Sequence, residues 1–80
     1  MVTKETVRAE LDQLTTTREG LNLIVSARGA RINLVTAGTH IASARLLVDN
    51  NLEHAVALVA EARTYLQAAM EIHQRSKPAS

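Results

Sequence analysis

The sequence predicts an all-α protein, an antiparallel helical hairpin with a shorter N-terminal helix folded against it. Composition is the first reason: the 80 residues include 13 Ala and 10 Leu but only one Pro and three Gly. Ala and Leu are the best helix formers, and so few Gly and Pro leave few breaks. A β-sandwich or barrel would need turn residues every ~8–12 positions, and they are missing. The second reason is a spacing of three and four between apolar residues, which lines one helix face. The third is that the small and large residues of two long segments match each other in reverse order.

The first helix is expected over about 4–15. Thr3 suits the N-cap, and Val7, Leu11 and Leu14 form one apolar stripe. Thr15-Thr16-Thr17 then reads as a boundary, because β-branched residues lose side-chain freedom in a helix interior. Thr16 and Glu19 have the spacing of a capping box for a new helix. The second helix is expected over about 17–49. Leu23, Ala27, Ala30, Leu34, Ala37, Ile41, Ala44 and Val48 are spaced 4, 3, 4, 3, 4, 3, 4. The competing reading carries the first helix on to Arg28 with Gly29 as C-cap, but the unbroken phase favours one helix. Gly29 and Gly38 inside it would each cost roughly 1 kcal/mol relative to Ala, which points to a close neighbour.

Asp49-Asn50-Asn51 is a polar turn, and Asn51 is a good N-cap for a third helix over 51–75. Its seam is Leu52, Ala55, Val59, Ala62, Leu66 and Ala69. Paired antiparallel, Ala44 faces Ala55, Ala37 faces Ala62 and Ala30 faces Ala69, while Ile41 faces Val59 and Leu34 faces Leu66. Small meets small and large meets large, which resembles an alanine-layered antiparallel coiled coil. Such layers allow helix axes to approach near the low end of ~8–10 Å. The chain reads as a single domain over 1–80, with 76–80 a frayed tail after Pro78.

Each long helix has a second apolar stripe: Leu21, Val25, Ile32, Val35, Ala42 and Leu46 in one, Val56, Leu58, Tyr65, Met70 and Ile72 in the other. A first helix of about 18 Å cannot cover a hairpin of about 40 Å. The leftover apolar surface predicts a homodimer, a helical bundle of two three-helix units, or burial by another protein.

Net charge is +1, which gives no whole-chain bias toward nucleic acid. Residues 20–48, however, hold Arg28, Arg31 and Arg45 and no acid. Those three guanidiniums span about 100° of one face. They form a strip for an anionic partner, or a solvated face paired with Glu53, Glu61 or Glu71 across the hairpin. The absence of Cys excludes a disulfide scaffold, a zinc finger and a thiol nucleophile. The longest charge-free stretch, Ile32 to Ala44, is 13 residues, too short for a spanning helix of ~20. The first fourteen residues carry Glu5, Glu10 and Asp12 and do not resemble a secretory signal, so a cytoplasmic protein is expected.

His40, His54 and His73 lack carboxylates at i±3 or i±4 in metal-binding spacing, Ser26 and Ser43 have no strained turn to present them, and Gly20, Gly29 and Gly38 make no phosphate loop. No catalytic residue, metal site or cofactor is expected. The function expected is that of a non-enzymatic protein-interaction module of the adaptor, co-chaperone or inhibitor type. Its apolar anchors are Leu21, Val25, Ile32, Val35 and Tyr65, beside the Arg28, Arg31, Arg45 strip. The alternative is a nucleic-acid-binding dimer using those three arginines.

Overall fold

The computed structural model describes residues 2–76 and contains three helices, α1 (Lys4–Ile24), α2 (Arg28–Leu47) and α3 (Leu52–Ser76), with no strand among the described residues. All three pack against one another, most extensively α2 against α3, in a rod of 47 × 17 × 17 Å. Residues 77–80 of the expected tail lie outside the described residues, while Ser76 still belongs to α3.

Thr3 caps α1, in extended conformation, its side-chain oxygen accepting the Thr6 backbone N–H at 3.1 Å. The helix then runs straight through the threonine run, where sequence placed its end. Thr15 fits a helix interior because its hydroxyl donates to the Leu11 carbonyl at 2.8 Å, as a helical Thr can. The capping box at Thr16 and Glu19 is therefore not used, and the second helix does not begin at 17. The break falls at Val25-Ser26-Ala27, so 17–49 is not one helix. Gly29 is no C-cap; it lies in the first turn of α2, and no described glycine has a positive φ. With 21 residues rather than a dozen, α1 is about 31 Å long at ~1.5 Å per residue and covers most of the hairpin.

The reason α1 keeps its phase is visible in what it buries. Val7, Leu11, Leu14, Leu21 and Val25 all enter the core, with Arg18 completing a 4, 3, 4, 3, 4 stripe. Arg18 is half-buried and its Nε donates to the Leu34 carbonyl on α2 at 2.7 Å. Its guanidinium lies over Gly38: a Cβ there would sit 2.7 Å from Nε and 2.9 Å from Cζ. Gly38 is thus the seat of an inter-helix contact. Gly29 meets only ordinary van der Waals distances to Ile72, and Gly20 meets nothing within 4 Å.

The core is wholly apolar. Ala30, Ala37, Ala44, Ala55, Ala62 and Ala69 are each 0% exposed, interleaved with Leu34, Ile41, Val48, Val59 and Leu66. Leu23, which the spacing placed at the head of this seam, is instead 85% exposed. The α2–α3 turn is closed by the Asn50 and Asn51 N–H groups donating to the Leu47 carbonyl, at 3.0 and 2.7 Å. Asn51 then accepts the His54 N–H at 3.2 Å and opens α3. Among the described residues four Lys or Arg ion pairs decorate the surface, with α1 supplying the acid or base in each; exposed pairs of this kind contribute about 0–1 kcal/mol each.

The three glycines make a stability test. Gly20→Ala should raise stability by about 1 kcal/mol, a rise of roughly 4–8 °C in Tm for a chain this size. Gly38→Ala gains the same helix propensity but displaces Arg18, whose hydrogen bond is worth about 1 kcal/mol. It should therefore be near neutral alone and stabilising in an Arg18→Ala background. Additive effects of the two substitutions in thermal melts would contradict the contact.

Candidate functional site

Two of the five expected anchors are not available to a partner. Leu21 and Val25 are 5% and 2% exposed, because α1 rather than α2 carries Leu21 and turns its stripe inward, and Val25 plugs the core at the α1–α2 connection. Tyr65 is half-buried beside α2, its ring 5.2 Å from that of His40. Ile32 and Val35, by contrast, stand 57% and 63% exposed.

Those two belong to a longer surface feature. Ile32, Val35, Thr39, Ala42 and Leu46 are all exposed and are spaced 3, 4, 3, 4 along α2. On a helical projection at 100° per residue they centre about 160° from the buried stripe, so they face away from both other helices. Leu46 is 77% exposed. None of the five carries a charge, and the one polar group among them is occupied: the Thr39 hydroxyl donates to the Val35 carbonyl at 3.2 Å. The Thr36 hydroxyl at the edge of the stripe does the same to Ile32, at 3.1 Å. The face that α2 presents outward is thus methyl groups over about 21 Å, from the rise of ~1.5 Å per residue. Isolated exposed apolar residues need no explanation, whereas a contiguous row of them does.

The arginine strip divides. Arg45 reaches across to α1, donating to Asp12 and to the Thr15 hydroxyl, both at 3.0 Å. It does not pair with a helix-3 acid, as register suggested. Arg28 and Arg31 are exposed and make no ion pair among the described residues. Their side of the outward face is therefore cationic, and α2 holds no acid to offset it.

Sequence reasoning also missed residues. Leu23 and Ile24, 85% and 58% exposed at the end of α1, lie near the Arg28 end of the molecule. The apolar spacing places Leu23 in the core and gives Ile24 no role. His40 was read as having no acid neighbour, which holds along its own helix only. Its Nδ1 lies 2.8 Å from the Thr36 carbonyl, and its Nε2 lies 2.8 Å from the Glu61 carboxylate on α3. His40 thereby ties α2 to α3 and is a structural residue.

Among the described residues no three His, Asp or Glu side chains gather to hold a metal ion, and no helix is long and apolar enough to cross a membrane. In the depression between α1 and α3, lined by Val2, Val7, Glu10, Val56 and Arg63 among others, the two charged groups pair with each other. A second apolar depression lies by Val2, Leu52 and Val56. Comparison with protein-family models, curated proteins and solved structures finds no match to this chain.

The division between buried and exposed apolar residues is checkable in one set of melts. At concentrations too low for copies to associate, Ile32→Glu with Val35→Glu should keep Tm near that of the parent, because surface substitutions cost within about 0.5 kcal/mol. Leu21→Glu or Val25→Glu places a carboxylate in the core and should unfold the chain or cost more than ~3 kcal/mol. Equal destabilisation by both sets would refute the assignment of faces.

Proposed function

We propose that this protein is a non-enzymatic interaction module whose working surface is the outward face of α2, and that the occupant of this face is a helix bearing an apolar stripe of its own. The observation that carries this reading is the uncharged 3, 4, 3, 4 row from Ile32 to Leu46, exposed on a chain whose core is otherwise closed. A row with this spacing complements another helix laid along it. Arg28 and Arg31 at one end would favour acidic residues flanking the partner's stripe and set its direction.

Nucleic acid is a poorer occupant for the same face. Phosphate binding needs cations spread along the contact, whereas the row is methyl groups and one of the three arginines is engaged with Asp12. No Phe, Tyr or Trp lies on α2 to stack a base, and the His40 ring is turned to Tyr65 of α3.

A photoreactive benzoylphenylalanine at position 35 tests the reading in the cells that make the protein. The expected result is a covalent adduct to a protein, another copy included, with the crosslinked peptide identified by mass spectrometry, and none from the same group at Gln13. Chains without adducts at position 35 would overturn the proposal, and so would adducts to nucleic acid alone.

A further inference from the structure

Resting on that reading, we infer that the helix which covers the outward face of α2 is α2 of a second copy, packed antiparallel about a two-fold axis at Thr39. The row is its own complement. Read backwards, Leu46, Ala42, Thr39, Val35 and Ile32 are spaced 4, 3, 4, 3, which is the order an antiparallel copy presents. With the axis at Thr39, Ile32 meets Leu46 of the second copy, Val35 meets Ala42, and Thr39 meets itself. Every member of the row then has a member of the row opposite. Sliding the pairing by half a heptad either way breaks this, because Leu46 then faces Arg28 or Ile32 faces Asp49. A closed two-fold contact of one patch with itself is the commonest way soluble chains associate.

The middle of the row suits a close crossing. Thr39 and Ala42 are small, and small residues let helix axes approach toward ~8 Å. Thr39 can be buried against its twin without stranding a polar group, because its hydroxyl already donates to the Val35 carbonyl at 3.2 Å. The flanks agree. In a two-fold antiparallel pair, the same edge of each helix meets the other. Here that edge holds Arg31, Gly38 and Arg45, so Arg31 approaches Arg45 of the second copy. Two free guanidiniums would repel, but Arg45 is held by Asp12 at 3.0 Å, and the Asp12 side chain is 73% exposed. Its carboxylate, which receives Arg45 through Oδ1, has room to take Arg31 of the second copy as well. Arg31, which makes no ion pair among the described residues, thus finds a partner across the axis. The opposite edge brings Thr36 near Ser43, both uncharged.

The chain contains no cysteine, so single thiols report the geometry directly. Under mild oxidation the full-length Thr39→Cys variant should convert to a disulfide-linked pair while keeping its helical signal. Ile32→Cys and Leu46→Cys should each link to themselves at least roughly tenfold more slowly, because their twins lie beyond the ~7 Å reach of a disulfide, about 21 Å apart along the axis at ~1.5 Å per residue. Mixing those two variants should give the Ile32–Leu46 cross-linked pair. Self-linkage at position 32 as fast as at position 39 would overturn the antiparallel register, and absence of linkage at 39 would overturn the pairing. If position 39 fails to link while the photoreactive group at position 35 captures a different protein, the self-pairing falls and the interaction face stands. If both fail, the interaction reading falls with it.

Discussion

The rest of the molecule depends on how closely α2 and α3 approach. Six alanines with no exposed surface line the contact, and the leucine, isoleucine and valine side chains between them fill the layers. A larger side chain at any of these alanines would push the helices apart, and interiors packed this densely do not absorb such volume without strain. Once α2 is held to α3 by this stripe, its rotation about its own axis is fixed. The flank carrying Gly38 and Arg45 then turns to α1, the flank carrying His40 turns to Glu61 and Tyr65, and the row from Ile32 to Leu46 is left facing out. The candidate site is thus a consequence of the core.

The first helix acts as a strut along this hairpin. It contributes Val7, Leu11, Leu14 and Leu21 to the core, but it makes fewer contacts with either partner helix than they make with each other. It is also tied down by polar groups: Arg18 to the Leu34 carbonyl, Asp12 to Arg45, Asp49 to Arg8, and Glu10 to Arg63. Surface pairs add little energy individually; Arg18 and Asp12 meet α2 along the edge that α1 covers. The pair Asp12–Arg45 removes one cation from the strip and leaves the remaining positive charge near the α2 N-terminus.

The all-helical class was legible in composition and spacing, and so were the apolar residues that the second and third helices bury. The α1–α2 break was not. A spacing of 4, 3 persists from Leu23 through Ala27 to Ala30 across the turn, so the repeat carried the eye over it. The turn itself, Val25-Ser26-Ala27, lacks Gly and Pro, and α2 begins without a side-chain cap. Its one nearby boundary signal, Gly29, lies inside α2 and caps nothing. The true stripe of α1 was concealed by Arg18, a charged residue at a core-facing position whose guanidinium reaches a carbonyl on another helix. That one misplacement sent Leu21 and Val25 to the surface and Leu23 to the core. Ile32 and Val35 were found because they lie on α2 itself, far from the break. Leu46 was visible as the end of the same row, while the His40–Glu61 contact joins residues on different helices and has no local signature.

The central proposal is that one chain closes its core and that a second copy of it covers the outward face of α2. Molar mass by light scattering, followed from low to high protein concentration, tests it most directly. The account predicts a rise to twice the chain mass of 8.7 kDa, with no larger species, because a two-fold contact closes on itself. A mass of one chain at every concentration would contradict it.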